Sequence, residues 1–590
     1  MKKPYATLTV SAAVLLVVLS FAACSKSSAS KVTINLTNAP ASLTVNQSVS
    51  LTATVGNDSS NAGVDWSCTS GGFSLAHTAS GGTTVFTAPA AAGSVTITAA
   101  ATADSSIKDT AAISIVPLGS NAMLNGQYVF LVRGIDSNGI YVAAGTIVAD
   151  GNGNITAGEQ EYADVAILAG PDTVTGIYSI GPDGRGSITL NVSDTSLPHN
   201  GVETFSIAVT SASHALVMQF DGTATSSGSL DLQTAAALDP ASVAGAYAFT
   251  SQGEDLSYQQ PVCIGGVLVM SASAGTVTSG TYYANDGGST TSGDLSGTVT
   301  APDAYGRGRI TFTTGLSLAY YAVQGRVLRL VGRNAPYKVL GGSMYGQGAA
   351  GAGLTFSAAS ISGNYVLFEA GATTNGALAL AGQVTADGAG NFSAGYADTN
   401  DAGTTTSASI AGTAAYTMSG NGTGTLALPA AVDTSGKVTT MVIFAVDPAI
   451  NLLDPSLSTG GGGALVMDYD SSVVASGCLV PQSTGTFEGD YALDLQLTGS
   501  SGETDWVGQT VAASGGLTGT LDTNVAGATS SDVSLTGTLA ADASHAGRWT
   551  GQFTVAGTAH SIVYYQVSPT LFVIVDKNSA TIGSGIMETE

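Results

Sequence analysis

Ala144-Gly-Thr-Ile-Val-Ala-Asp-Gly-Asn-Gly-Asn-Ile-Thr-Ala-Gly158 returns later in the chain as Ala381-Gly-Gln-Val-Thr-Ala-Asp-Gly-Ala-Gly-Asn-Phe-Ser-Ala-Gly395. Each copy is an alternating apolar run, a Gly/Asn turn and a second alternating run, which is the pattern of a β-hairpin. Around it Gly126-Gln-Tyr128, Gly245-Ala-Tyr247, Gly363-Asn-Tyr365 and Gly489-Asp-Tyr491 recur at about 120 residues, the length of whole tandem domains rather than of solenoid turns. Copies two and four keep reduced forms of the first block at 264–280 and 507–520.

Two further blocks are shared. Gly176 to Leu190, with the turn Asp183-Gly-Arg-Gly186, is echoed at 297–312, 412–428 and 537–553. Apolar strand pairs at 205–219, 318–330, 441–467 and 562–575 are followed by Ser-Gly-Ser229, Gly-Gly-Ser343, Ser-Gly-Cys478 and Ser-Gly-Ile586. Each copy thus carries about eight strands joined by hairpins, enough to cover one core. An up-and-down barrel, which abolishes sheet edges, is the expected form, with a strongly curved sandwich as the alternative.

Ahead of the repeats, Val32-Thr-Ile-Asn-Leu36, Ser48 to Val55, Val64-Asp-Trp-Ser-Cys68, Thr84 to Thr87, Ser94 to Thr98 and Ala112 to Ile115 alternate with period two. Short strands at this density, with Trp66 placed to fill the space between two sheets, predict an immunoglobulin-like sandwich lacking the antibody disulfide. The expected class is therefore all-β. The expected units are a signal peptide at 1–23, a tether at 24–30, a sandwich at 31–117, and repeats at 118–236, 237–355, 356–484 and 485–590.

Lys2, Lys3 and an apolar run from Ala6 to Phe21, of roughly 16 residues, form an export signal too short for a membrane span. The close of that run, Leu19-Ser-Phe-Ala-Ala-Cys24, resembles the lipobox of bacterial lipoproteins. The resemblance implies acylation of Cys24 and, with Ser25 following it, sorting to the outer membrane. Leu43-Thr-Val-Asn46, Val64-Asp-Trp66, Phe86-Thr-Ala-Pro89 and Gly93 to Ala99 resemble bacterial Ig-like domains of the group 2 type, which implies a spacer or adhesion module. The repeats are similar to uncharacterised tandem β-domains of bacterial cell-surface lipoproteins, a likeness that implies envelope location and carries no activity.

The 590 residues hold 77 Gly, only 10% charged residues and a net charge of −25. Such a chain repels phosphate, so nucleic acid is excluded as a partner. The expected partners are the membrane, through the anchor, and surface polysaccharide or other envelope proteins. Apart from Cys24 the cysteines are Cys68, Cys263 and Cys478, with no metal spacing. Three buried thiols are expected, the alternative being a bridge from Cys263 to Cys478.

Asp150, Asn152, Asn154 and Glu161 have the spacing of a calcium loop, and calcium is the one cofactor this suggests. Ile155 stands where such a loop needs Gly, and the third copy has Ala389 in place of Asn152. Asp-Gly followed by Gly-Asn is equally a hairpin turn. Arg185 and Arg307 sit inside tight turns, suited to a local salt bridge or to a ligand carboxylate. The histidines, His77, His199, His214, His545 and His560, are scattered, and Glu159, Glu161 and Asp164 are the nearest approach to a glycosidase pair. No catalytic residues are assigned and no enzyme is expected. Tyr282-Tyr283, Tyr320-Tyr321 and Tyr564-Tyr565 put one ring on each strand face, one for the core and the other for an exposed platform or a structural position. The function these readings favour is structural or adhesive; the alternatives are a glycan or small ligand bound within a repeat barrel, and hydrolysis.

Overall fold

The computed structural model describes residues 31–589 apart from 41, 46, 90, 117–118, 334–337, 350–351, 411–414, 434–436 and 439. Cys24 and the expected anchor lie outside the described residues. The chain is all-β, with a two-sheet sandwich followed by four β-barrel units.

In the sandwich, Thr33–Thr37, Ser48–Gly56, Thr83–Thr87 and Gly72–Phe73 form one sheet. Ser42–Thr44, Asp104–Val116, Gly93–Ala101, Val64–Cys68 and His77–Thr78 form the other, with Ser42–Thr44 parallel to the final strand. Trp66 fills the space between them, its ring 5.7 Å from that of Phe73, and its indole N–H is satisfied by Thr78 Oγ1 at 3.0 Å. Cys68 is half-buried and free, as are the buried Cys263 and Cys478, so no bridge links the repeats.

Repeats one and four are closed eight-stranded barrels, spanning Asn125–Asp136 to Ala224–Leu232 and Gly489–Gly499 to Thr581–Thr589. Repeat two closes in the same way through the pairing of Gln260–Ser271 with Thr276–Asp286, and adds Ser289–Asp294 as a flap. Repeat three runs from Ser362–Thr373 to Val473–Pro481 with the same strand order, its first and last strands paired; among the described residues no pairing joins Thr404–Ser409 to Ala415–Tyr416, so this barrel is open at that seam.

In every repeat the first strand opens on the Gly of Gly-x-Tyr, whose φ lies between 105° and 148°. Only Gly takes that turn freely. The Tyr then points inward, and the Tyr128, Tyr247 and Tyr491 hydroxyls donate to Ala212, Gly325 and Pro569, in the turn between the sixth and seventh strands of their own barrels. The last strand carries a second required Gly. A Cβ on Gly228, Gly342, Gly477 or Gly585 would run into the carbonyl oxygen of Leu131, Thr250, Phe368 or Asp494 on the paired first strand.

The repeats are not strung out separately. Strands one to three of each barrel pack on strands six to eight of the next, and the fourth barrel packs in the same way on the first. The four form a closed ring with approximate fourfold symmetry. Alternate side chains of these strands therefore meet either the barrel's own core, as Tyr128 and Phe130 do, or a second core shared by all four barrels, as Val129, Val267, Val366 and Val573 do. This is why Leu571–Asp576 and Val327–Gly332 are buried at every position.

The same joints recur around the ring. Arg307 donates to Glu161 of barrel one (Nε, 2.8 Å), Arg548 to Asp398 of barrel three (Nε, 2.7 Å) and Arg185 to Asp522 of barrel four (Nη1, 3.3 Å). At the remaining joint Thr423 replaces the Arg and Tyr283 the acid, and Tyr283 packs on Phe444 at 5.9 Å. The amides of Asn285, Asn400 and Asn524 bond the carbonyls of the next barrel's seventh hairpin, for example Val473, Asp576 and Gln219 at 2.7, 2.8 and 2.7 Å. After each of the first three barrels a Gln, at 233, 347 and 482, donates to a backbone oxygen in the next, at Ala322, Ala445 and Gln566.

Gly585→Ala and Gly228→Ala should each cost about 1–3 kcal/mol of unfolding free energy, the range for overpacking. Gly222→Ala, whose Cβ would have its nearest neighbour 3.9 Å away, should change it by less than about 0.5 kcal/mol. Equal losses in chemical unfolding would contradict the close-approach account.

Candidate functional site

In each barrel the seam between first and last strands faces the ring axis, where the four leave a central pit. Two spaces of about 340 and 500 Å³ there share Arg133, Gln252, Ala370, Gln496 and Ser584 as walls. Arg133, Gln252, Ala370 and Gln496 stand five residues after the Tyr of Gly-x-Tyr in their respective repeats, so one repeat position forms one layer of the pit. Two residues nearer the Tyr, Leu131, Thr250, Phe368 and Asp494 form a deeper layer. Two residues further on lie Ile135 and Glu254, with Thr498, at the upper level. Arg133 is exposed although it lies between four barrels, because its side chain faces this space.

The wall contributed by barrel four is acidic. Ser227 Oγ donates to Asp494 Oδ1 at 2.9 Å and lies 3.0 Å from Asp505 Oδ1, while Asp505 Oδ2 takes the Thr225 hydroxyl. Burial, followed by the charge of Asp505, holds the Asp494 carboxyl well above its ordinary range. Asp505 is likewise raised, mainly by burial, while hydrogen bonds from Thr225 and Ser227 act against the rise. Gln496 donates to Glu503 at 3.2 Å.

At the Gly-x-Tyr end the pit has a charged floor, to which every barrel contributes. His214 and Asp231 come from barrel one, Arg329 from barrel two, Asp454 from barrel three and Glu588 from barrel four, and all five are buried. His214 Nδ1 is 2.8 Å from Asp231 Oδ1, and Asp231 Oδ2 is held by Arg329 and by Ser229 at 3.0 Å. Asp454 arrives on a segment found only in barrel three. Where the other barrels make tight turns between the sixth and seventh strands, barrel three inserts 446–463. This segment is fastened beneath barrel two by Tyr345, which donates to Leu452 at 3.0 Å, and by Gln324, which donates to Pro455 at 3.2 Å.

The residues singled out in the sequence lie elsewhere. Asp150 Oδ1 accepts the N–H groups of Asn152 (2.7 Å) and Asn154 (3.0 Å), and its Oδ2 takes the Asn154 amide (2.7 Å). Asp387 makes the same bonds to Ala389 and Asn391, so the loop closes identically with Ala in place of Asn152. Glu161 is not with them: it is buried at the joint to barrel two, bound by Arg307 and, at 2.6 Å, by Arg333. The proposed calcium ligands are thus an exposed Asx turn plus an interface acid. Of the would-be glycosidase acids, Asp164 caps its own turn through the N–H of Ala166 at 2.6 Å, and burial, followed by the charge of Asp303, pushes Glu159 up to about 7.

Arg185 and Arg307 are joint residues. Of the tyrosine pairs, Tyr320, Tyr321, Tyr564 and Tyr565 are fully buried, because the face opposite the barrel core is covered by the preceding barrel, while Tyr282 and Tyr283 are half-buried. Of the histidines, His214 alone reaches the pit. Sequence reading passed over it because its partners lie on three other repeats. The signal available was the alignment of repeats, in which the Gly-x-Tyr+3 and +5 positions differ chemically while their framework stays the same.

No family model and no curated protein matches the chain. Among solved structures it is similar to a kievitone hydratase from Nectria haematococca, at 8% identity over 60% of this chain and 91% of that one, with a TM-score of 0.16. The alcaligin outer membrane receptor FauA from Bordetella pertussis shows 8% identity over 84% and 81%, with a TM-score of 0.12. At these scores neither likeness carries an argument about fold or activity.

The raised Asp505 carboxyl gives a signed expectation. Its folded-state affinity for a proton exceeds that of the unfolded chain, which titrates near about 3.9, so its contribution to stability falls as pH rises above that value. The unfolding free energy of Asp505→Asn minus that of wild type should therefore increase between about pH 4 and pH 7. A difference independent of pH would show that Asp505 is not held protonated by its surroundings.

Proposed function

We propose that the protein is a non-enzymatic, lipid-anchored binding protein of the cell envelope that takes a small polar ligand in the pit at the ring axis. The observation that carries this reading is the layer Arg133, Gln252, Ala370 and Gln496. One position of a repeated framework supplies a cation, two amides and a methyl group to one open space. A space of this size suits a small ligand. Amide and hydroxyl groups beside the half-buried ring of Phe368 suit a polyhydroxylated compound with one apolar face, and a glycan fragment is the first class to try. The barrel interiors are filled by their own core side chains over most of their length, as expected for eight strands. That supports the axis rather than a barrel lumen as the binding place. The structural or adhesive reading draws on the sandwich ahead of the ring and on the ring's rigidity, and requires no pit.

The test is a thermal-shift and calorimetric screen of mono- and disaccharides, with uncharged polyols alongside, on the mature chain. A saturable rise in melting temperature of several degrees at ligand concentrations well above Kd is expected. It should disappear in Ala370→Trp, which fills the pit, and weaken at least tenfold in Gln252→Leu or Gln496→Leu. A shift that survives Ala370→Trp, or a complete absence of shifts together with cell or surface attachment by the intact chain, would favour the adhesive role instead.

A further inference from the structure

The floor of the pit carries an inference independent of any organic ligand. Asp231 and Arg329 form an ion pair that cancels in charge and fixes His214 by accepting at Nδ1. With Nδ1 held in this way, Nε2 is the free ring nitrogen and points to Glu588, whose Oε2 is 3.3 Å away without hydrogen-bond geometry. Oε1 of Glu588 has no hydrogen-bond partner among the described residues, although the residue is only 3% exposed. Asp454 completes the group, its Oδ1 3.8 Å from Nδ1 of the same imidazole and accepting the Ser456 N–H at 2.8 Å. One donor atom from each of His214, Asp454 and Glu588 can be chosen such that all lie within 4.8 Å of one another.

Charge decides what belongs there. Once the Asp231–Arg329 pair is set aside, two carboxylates face one imidazole. A divalent cation bound to neutral His214 and two carboxylates makes the group neutral. A carboxylate holding the far nitrogen of a ligating imidazole is the usual support for a metal-bound His. We propose that His214, Asp454 and Glu588 bind one divalent metal ion of the zinc type, which ties barrels one, three and four together at the axis. Imidazole nitrogen with carboxylate oxygen suits such an ion at about 2.0–2.2 Å from each donor. The cavity that reaches His214, with Leu452 and Leu453 beside it, provides the entry path.

The test uses the full mature chain, stripped with a chelator and dialysed against zinc chloride, with metal content read by elemental analysis. One zinc ion per chain, bound saturably, is expected. The affinity should fall at least tenfold in Glu588→Gln and Asp454→Asn and be lost in His214→Ala, while the double variant His77→Ala, His199→Ala keeps it. Cobalt(II) in place of zinc should give visible absorption bands in wild type that are missing in His214→Ala. Circular dichroism checks folding, and if His214→Ala does not fold, Asp454→Asn decides. No saturable zinc binding, or binding unchanged in the folded variants, would overturn the proposal. Zinc bound with no sugar response would sink the ligand reading alone.

Discussion

Everything in this molecule follows from burying both faces of the same strands. A small barrel needs one apolar face per strand, but strands one to three and six to eight here carry a second, and that second face must be covered by something. Four copies placed so that strands one to three of each cover strands six to eight of the next satisfy every such face with a single rule. The rule closes only because the fourth barrel meets the first. An open row would leave two large apolar faces in water, a liability for any folded chain. The shared core, to which all four barrels contribute valines and aromatics, is therefore the condition under which the barrels can coexist.

Polar groups at the joints give this packing its register. Burying Arg307 against Glu161, or Arg548 against Asp398, adds little net stability once desolvation is counted, but any slip would leave a buried charge unpaired. The carboxamides of Asn285, Asn400 and Asn524 act similarly, each locking onto carbonyls of a hairpin that would otherwise be left unbonded. Divergence at these joints is paired. Where the third repeat lost its turn Arg and has Thr423, the second repeat has Tyr283 in place of the acid, so neither charge is stranded. At the joint between barrels one and two, Ala163 stands where the Asn is found elsewhere, and Arg333 supplies hydrogen bonds to the carbonyls of Ala169 (2.6 Å) and Gly170 (3.1 Å).

Much of this was legible in the sequence. Period-two runs, the Gly-x-Tyr recurrence and the Asp-Gly turns gave the class, the number of repeats and the hairpin order, because each depends on residues close together in the chain. The ring was written there too, in the unbroken apolar stretches such as 571–575, since a strand with no polar face must be covered twice. Reading those stretches as ordinary barrel walls left a platform open beside a structural position for the tyrosine pairs, and in Tyr320-Tyr321 and Tyr564-Tyr565 both rings are buried. The charged floor was the least legible part. His214, Arg329, Asp454 and Glu588 are each unremarkable locally and acquire meaning only when four repeats meet, and Asp454 sits in an insertion with no counterpart in the other three.

That insertion explains why a nearly fourfold ring has a site with no symmetry at all. Identical repeats would surround their axis with four identical side chains per layer, and four like charges or four methyl groups make a poor binding surface. Divergence at the layers three and five residues after the Tyr turns the axis into a set of four independent choices, while Gly228, Gly342, Gly477 and Gly585 keep the backbones in place behind them. The 446–463 segment then closes one end of the pit, and it does so from the repeat whose own Tyr365 meets no tight turn of the kind that receives the Tyr128, Tyr247 and Tyr491 hydroxyls. A blind pit with varied walls and a charged floor is thus the geometric consequence of three repeats keeping a short turn and one giving it up.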